Sequence, residues 1–240
     1  MRAEVAAAYA RGTADAVRAI QVRNEQAIAS AADVVVQMAR TGRVLHAAGA
    51  GHSLAGVLEM FYRAGGLAFV NPLWHPEILP LTSADGSTSA ERRVGLGESV
   101  ARGAGIAAGD AVVVFSNSGV NAYPIEIARE ARSVGATVIA VTSPRASQAA
   151  PLRAGARLFE LADIVLDTLV PPGDVTWPAG AVQVAPLSSL ANVLCWNLVM
   201  VAALEAEPHL PTWRSANAST GDPNAELMQR YAPVIGALAG

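Results

Sequence analysis

Residues 111–121 read AVVVFSNSGVN, an apolar run that ends abruptly in the polar loop SNSG at 116–119. β-Branched and aromatic residues in succession are typical of a strand buried on both faces, and such strands belong to parallel sheets. Residues 121–134 then place apolar side chains at helical spacing. The loop is therefore predicted at a strand-to-helix junction, where free backbone N–H groups and the helix dipole attract an anion. The alternative is structural, because Ser and Asn are ordinary helix N-caps and Gly is ordinary in a tight turn.

From residue 43 onward the chain alternates between strand-like and helix-like segments. This alternation favours an α/β fold with a doubly wound parallel sheet, whose ligand lies at the carboxyl ends of the strands. Apolar runs predict strands at 44–48, 67–70, 111–115, 136–141 and 163–166, and helical periodicity predicts helices at 53–64, 91–104, 121–134 and 188–205.

The rest of the chain fits one domain with an extension. Residues 1–40 have helical periodicity but no following strand, so they are predicted to form an N-terminal helical extension. Residues 41–240 then form a single domain. The Pro- and Gly-rich stretch PPGDVTWPAG at 171–180 breaks the periodicity and is predicted to be a surface loop.

Composition limits the partners and the location. The 240 residues carry a net charge of −3, and the scattered Arg residues form no basic stripe for nucleic acid. No apolar run is expected to reach the roughly 18 residues of a membrane span, and the charged N-terminus is unlike a secretory signal. The protein is therefore expected to be cytoplasmic, without a membrane partner. The single cysteine, Cys195, lies in an apolar helical run and is interpreted as a buried structural thiol.

The sequence lacks the signatures of the common cofactors. The glycine-rich turn GAGHSLAG at 49–56 has Leu54 where a dinucleotide-binding turn has its third glycine, and the second predicted strand ends in Asn71 instead of an acid. No Gly-Lys-Ser/Thr occurs. The four histidines show no metal-ligand spacing. We therefore expect neither a cofactor nor a metal.

Hydroxyl-bearing loops follow three of the predicted strands. Gly-His-Ser at 51–53 ends the first strand, SNSG ends the third, and the segment 142–147 with Thr142, Ser143 and Ser147 follows the fourth. In a parallel sheet these ends lie on one edge, so capping alone accounts poorly for the repetition. The pattern favours binding of a phosphate or a phosphosugar.

These blocks resemble the sugar isomerase (SIS) domain, and the similarity extends over nearly the whole chain through RVLHAAGAGHS, FYRAGGLAFVNP, SAERRVGLGES and RSANASTGDPN. The chain is most similar to a stand-alone bacterial subfamily, related to phosphoheptose isomerase and N-acetylmuramic acid 6-phosphate etherase. The resemblance implies a five-stranded parallel sheet in a flavodoxin-like, three-layer arrangement. It also implies a homodimer or higher homo-oligomer, with a phosphosugar site near the subunit interface.

Carried over by position, the resemblance implies two sets of binding residues. Asn121 departs from the common pattern, which has Ser or Thr there, although an amide still donates. The implied phosphate ligands are Ser53, Ser116, Asn117, Ser118, Gly119, Asn121, Thr142, Ser143 and Ser147. The implied sugar contacts are Gly51, His75, Ser188, Ser189 and Asn192.

Isomerisation or elimination needs a group that moves a proton next to a carbonyl. Glu91 is the preferred candidate base because a functional glutamate of the etherase branch lies in a comparable place, the alternative being a first-turn Glu that complements a helix dipole. Glu59 is the second candidate, with a solvent-facing helix charge as its alternative. His52 lies in a ligand loop and is expected to assist, whereas His46, inside a strand, is interpreted as a core residue.

Three hypotheses about function remain open. The first is a cofactor-free isomerase or lyase that acts on a sugar or amino-sugar 6-phosphate by general acid/base chemistry. The second is a non-catalytic sensor that binds a phosphosugar and regulates a partner protein. The third is an obligate structural dimer with a vestigial site, which would bind no ligand.

Overall fold

A computed structural model describes residues 2–215, 217 and 221–239. Five strands form a parallel sheet in the order β2-β1-β3-β4-β5, with register pairs such as Leu45↔Ala111 and Val112↔Val138. The strands are β1 (Leu45–Gly49), β2 (Val70–Leu73), β3 (Ala111–Phe115), β4 (Thr137–Thr142) and β5 (Ile164–Asp167).

Helices cover the sheet in two groups, which gives the predicted doubly wound arrangement. In one group α2 and α3 pack against α9, and in the other α5 and α8 pack against α6. The helices are α1 (Arg2–Arg23), α2 (Glu25–Thr41), α3 (Leu54–Met60), α4 (Ala84–Arg92), α5 (Leu96–Gly103), α6 (Ala122–Ser133), α7 (Pro144–Ala149), α8 (Leu158–Leu161), α9 (Ser188–Ala206) and α10 (Ala225–Tyr231).

Buried apolar side chains explain the central strands. All five residues of β3 are fully buried, as the β-branched run AVVVF predicts for a strand covered on both faces. At the sheet edge, β5 is only partly buried. The order 2-1-3-4-5 reverses between β1 and β3, and in such sheets the ligand lies outside the carboxyl ends at that point.

The N-terminal helices are present, and the second of them is part of the core. In α2, Val35 is fully buried and the helix packs on α9 and β5. By contrast, α1 buries only Ile20 among its residues. The division into 1–40 and 41–240 stays a prediction. In the segment RSANASTGDPN, residues 216 and 218–220 lie outside the described part of the chain.

The second strand begins three residues later than the sequence predicts. The apolar run 67–70 suggested the strand, but Leu67 pairs with Thr212 and the Ala68 amide donates to Pro211 O at 2.8 Å. Residues 211–212 therefore pair with the backbone of residues 67–68, and β2 starts at Val70, opposite Leu45. Apolar content cannot show which partner a strand will choose.

The predicted helix 91–104 is two helices separated by a turn. Gly95 has φ 91°, which ends any continuous helix there. The first of these helices, α4, begins at Ala84, before the predicted start, and the Ser83 hydroxyl accepts from the Gly86 amide at its N-terminus. Glu91 therefore lies in the last turn of α4, and its interpretation as a first-turn charge is wrong.

Two other expectations need correction. Residues 175–177 of the predicted surface loop form strand β6 (Val175–Trp177), which pairs antiparallel with β7 (Val184–Pro186). The expectation that no apolar run is long enough for a membrane span is also wrong, because α9 has that length and composition. Core helices satisfy the same criterion, and α9 buries Cys195, Trp196 and Val199 inside the protein.

Candidate functional site

A cavity of about 400 Å³ lies at the carboxyl ends of β1 and β3. Its lining comes from the turn after β1, from Pro80 and α4, from the loop after β3, from Asp174 and from the N-terminus of α9. The predicted site residues among its lining are Gly51, His52, Ser53, Glu91, Ser116, Asn117, Ser118 and Ser188. Ser87, Thr88 and Asp174 line it as well and were not predicted.

The loop after β3 is held in a tight turn. The Ser116 hydroxyl accepts from the Gly119 amide at 3.2 Å, and Gly119 has φ 55°. A Cβ at this glycine would lie 2.9 Å from Leu158 Cβ and 3.1 Å from Thr142 Oγ1. Both the left-handed backbone and the close packing require glycine, so Gly119 shapes the loop that presents Asn117 and Ser118.

The residues that precede α6 and α3, Asn121 and Ser53, do not cap these helices with their side chains. Asn121 precedes α6, but its Oδ1 accepts from Arg153 Nη1 at 3.2 Å instead of capping the helix. Ser53 precedes α3 and makes no capping hydrogen bond either. The first-turn amides of α6 therefore keep their positive potential for a bound anion. Helix capping is therefore not the role of Asn121 or Ser53, whereas the structural alternative holds for Ser116 and Gly119, which form a tight turn.

Neighbouring helices show what a capped N-terminus looks like in this fold. Ser143 Oγ accepts from the Ala146 amide at 3.2 Å at the start of α7. The Glu126 carboxylate accepts from the amides of Gly95 and Gly97 at 2.7 and 3.0 Å at the start of α5. Ser143 thus caps α7, while the hydroxyls of Ser53 and Ser118, which line the cavity, cap no helix within the described residues.

Several polar groups of the cavity have no protein partner. Within the described residues, the hydroxyls of Ser53 and Ser118 make no hydrogen bond, and the Glu91 carboxylate and His52 ring make no hydrogen bond or ion pair. These groups are free to bind a ligand or to move a proton. They combine two donors for an anion with one acid/base pair of side chains.

Asn117 connects the loop to the sheet and to α9. Its Oδ1 accepts from Thr168 Oγ1 at 2.6 Å, and its Nδ2 donates to Asn192 Oδ1 at 3.5 Å. Its backbone oxygen also accepts from the Ser143 amide at 3.1 Å. Thr168 and Asn192 are fully buried, so water cannot replace these contacts. Asn117 is thereby fixed at the floor of the cavity.

Asp174 is the principal residue that the sequence did not reveal. Its Oδ1 accepts from the amides of Leu187 and Ser188 at 2.9 and 2.8 Å, and its Oδ2 accepts from Ser188 Oγ at 2.6 Å. The carboxylate therefore already occupies the N-terminus of α9, and it orients the predicted sugar contact Ser188. Asp174 has φ 71°, which the loop maintains through these hydrogen bonds. Only tertiary contacts identify it.

Several predicted ligands do not reach the cavity lining. Thr142, Ser143 and Ser147 are fully buried behind the loop. The Ser147 hydroxyl and Asn192 Nδ2 have no hydrogen-bond partner within the described residues. Gly119, Asn121, Ser189 and Asn192 also lie outside the lining. Their binding roles stay predictions.

Two predicted residues point to other partners. Glu59 forms an ion pair with Arg63 and accepts from Asn197 Nδ2 at 3.0 Å, so its carboxylate is engaged on the side of α9. His75 accepts from the Glu77 amide at 3.3 Å at the start of a short turn. Neither residue lines the cavity. Of the two candidate glutamates, only Glu91 therefore lines the cavity.

Burial is the main cause of the shifted pKa values of two groups outside the cavity, His46 and Cys195. Burial lowers the pKa of His46, which the nearby Asp110 only partly offsets, and its ring contacts Asn71 at 3.2 Å. Burial raises the pKa of the Cys195 thiol to about 12, in agreement with a structural thiol. Among the described residues, no group of three or more His, Cys, Asp or Glu side chains is arranged to hold a metal.

Comparisons with protein sequences identify close relatives. The SIS domain family profile matches residues 8–143. UPF0309 proteins from Brucella canis and Brucella ovis are each 40% identical over 207 residues, covering 84% of this chain and 85% of the relative.

Comparisons of structures identify the same architecture. The phosphoheptose isomerase GmhA from Neisseria gonorrhoeae aligns with TM-score 0.56 at 19% identity, covering 84% of this chain and 98% of that one. A phosphoheptose isomerase from Francisella tularensis aligns with TM-score 0.53 at 18% identity, covering 85% and 98%. At these identities the similarity establishes the fold alone.

Proposed function

The chain belongs to the phosphosugar-binding SIS domain family, and we propose that its 400 Å³ cavity binds a sugar or amino-sugar 6-phosphate and catalyses isomerisation or elimination. The observation that supports this proposal most strongly is the set of unpartnered groups in one cavity. Ser53 and Ser118 provide free hydroxyls beside the uncapped α6, and Glu91 provides a free carboxylate. We propose that the protein acts in the cytoplasm without a metal or cofactor.

The phosphate would lie against the loop after β3. There the amides at the start of α6 and the hydroxyls of Ser53 and Ser118 donate to its oxygens, and the helix dipole favours its charge. Two other helix starts, at α5 and α9, already hold the carboxylates of Glu126 and Asp174. Among the described residues, no carboxylate accepts from the first-turn amides of α6 or α3, so these two N-termini remain for the phosphate, with α6 following directly from the loop after β3.

With the phosphate at α6, the sugar carbons extend toward α4 and the turn at 51–53. Glu91 then acts as the base that removes the proton next to the carbonyl, and His52 exchanges a proton with the carbonyl oxygen or the leaving oxygen. The enolate formed is the intermediate shared by isomerisation and elimination. Such positioned proton transfer contributes a factor of about 10² to 10⁴ in rate.

Ligand binding is tested by thermal unfolding with matched pairs of sugars. Each of glucosamine, N-acetylglucosamine, muramic acid and heptose is compared with and without its terminal phosphate. A ligand at 100 times its Kd stabilises the fold by about 2.7 kcal/mol. Stabilisation by a phosphorylated sugar but not by its parent supports the proposal, and no stabilisation by any pair contradicts it.

Catalysis is tested with the two glutamates as a matched pair. Glu91→Gln keeps the shape of the side chain but removes the base, so turnover of the bound sugar phosphate should fall at least about 100-fold while its Kd changes little. Glu59→Gln should leave turnover near the wild-type rate, because Glu59 does not line the cavity. Ligand binding without any turnover in the wild type would instead support the sensor.

We further propose that the protein is a homodimer or higher homo-oligomer with the site near the interface. Exposed apolar side chains of α3 and α9 support this: Leu58 is 67% exposed, Val201 71% and Leu204 49%. A second copy would remove this surface from water. Sedimentation of the wild type beside Leu58→Glu and Val201→Glu tests it, since a monomeric wild type would contradict the proposal.

A further inference from the structure

A second cavity adjoins the phosphate cavity. Its volume is about 350 Å³, and Asn117, Ser118 and Asp174 line both cavities. These shared residues place the two cavities side by side at the end of β3. A ligand whose phosphate lies against Ser118 can therefore extend into the second cavity without leaving the first.

The two cavities differ in chemistry. Apart from the shared residues, no side chain in the second cavity carries a hydrogen-bond donor or acceptor. Away from the shared residues, a bare sugar ring would lose hydrogen bonds to water that no side chain replaces, whereas burial of an apolar group there is favourable. The apolar lining is Ala146, Ala149, Ala150, Val170, Pro171 and Pro172.

The apolar walls are fixed before any ligand arrives. Ser143 Oγ donates to Val170 O at 2.7 Å, which ties the segment after β5 to α7. The Asp174 amide donates to Pro171 O at 3.0 Å, and the Asp174 carboxylate is anchored to α9. A cavity held in this way costs little ordering entropy when a ligand enters.

We propose that the ligand is a sugar phosphate with an apolar substituent, an acyl or alkyl group of a few carbons that lies in this second cavity. The inference rests on the proposed function and deepens it by naming the substrate class. The phosphate and ring occupy the hydroxyl-lined cavity, and the substituent passes between Ser118 and Asp174 to reach the apolar walls.

Titration calorimetry with graded substituents tests the inference. One series is glucosamine 6-phosphate and its N-acetyl, N-propanoyl and N-butanoyl derivatives. Two further series carry methyl, ethyl and propyl ethers at O1 or O3 of glucose 6-phosphate. In the series whose substituent is attached to the same sugar atom as in the natural ligand, each added methylene should lower Kd by about two- to fourfold. The upper value corresponds to full burial of the methylene at ~0.8 kcal/mol.

A pair of variants locates the substituent. Ala149→Leu fills the second cavity, whereas Ala29→Leu makes the same change at an exposed position of α2 that lines neither cavity. The dependence of log Kd on chain length should flatten in Ala149→Leu and persist in Ala29→Leu. Because the dependence is measured within each variant, a change in overall affinity cancels.

The outcomes separate this inference from the proposed function. Sugar phosphates that bind with no dependence on chain length in any series overturn the inference alone. A dependence that persists in Ala149→Leu also overturns it, because the chain then lies elsewhere. Failure of every sugar phosphate to bind, with or without a substituent, contradicts the proposed function itself.

Discussion

Replacing Asn117 with Ala should destabilise the protein because it removes the only side chain among the described residues that joins Thr168 to Asn192. The Thr168 hydroxyl donates to Asn117 Oδ1 at 2.6 Å. Both partners are fully buried, so the groups left behind cannot turn to water. The backbone contacts of residue 117 are retained in the variant, which confines the change to the side chain.

The magnitude follows from the groups that lose their partner. A buried hydroxyl without an acceptor costs about 1–3 kcal/mol, and the 3.5 Å contact with Asn192 is long and adds less. We expect a loss of about 2–3 kcal/mol in the free energy of unfolding. For a chain of this size that corresponds to about 4–12 °C in Tm.

A double-mutant cycle measured by chemical denaturation tests the assignment. Thr168→Val removes the hydroxyl, so Asn117→Ala should cost at least about 1 kcal/mol less in that background than in the wild type. In the background of Thr41→Val, an exposed threonine on α2 that bonds to Gln37, the cost should be unchanged. Additivity within about 0.5 kcal/mol in the Thr168→Val background would refute the reasoning.

Three further variants probe the fold. Because burial holds the pKa of His46 below its unfolded value of 6.5, its contribution to stability is present above that pH and lost as the pH falls. Between pH 8 and 5, the free energy of unfolding of His46→Gln should therefore fall less than that of the wild type. Equal pH dependence of the two proteins would contradict this. Gly56→Ala places a Cβ 2.5 Å from the buried Phe115 ring and should lower the free energy of unfolding by about 1–3 kcal/mol. The control Gly103→Ala, whose Cβ has nothing within 4 Å, should not destabilise the protein. Equal Tm values for the two variants would contradict this prediction. With its pKa near 12, Cys195 should react with a thiol reagent only at the rate of unfolding, and rapid labelling of the native protein would be the contrary result.

The sequence predicted those parts of the fold that local pattern determines. The run AVVVF at 111–115 is a fully buried strand as expected, because a parallel strand covered on both faces leaves no polar positions. The alternation of strands and helices likewise gave the parallel sheet. The strand at 67–70 was misplaced because Leu67 and Ala68 pair with residues 211–212, and a local apolar run carries no information about a distant partner.

The sequence also predicted those parts of the candidate site that follow closely from the end of a strand. Residues 51–53 and 116–118 reach the cavity because each of these segments follows closely from the end of a parallel strand. Glu91 was preferred to Glu59 on the family resemblance alone, because the contact that engages Glu59, with Asn197 on α9, cannot be read from the sequence. Asp174 was missed for the same reason, because it enters the site only through its hydrogen bonds to the start of α9.

The most direct test of the central claim is calorimetry of a sugar 6-phosphate with the wild type and with Ser53→Ala/Ser118→Ala. Because neither hydroxyl has a protein partner within the described residues, the double variant should keep its Tm. Two lost hydrogen bonds to a charged phosphate, at about 1.5–3 kcal/mol each, should weaken binding by about 100-fold or more. Ser99→Ala, at an exposed position of α5, should bind like the wild type. Unchanged affinity in the double variant would contradict the claim that these loops hold the phosphate.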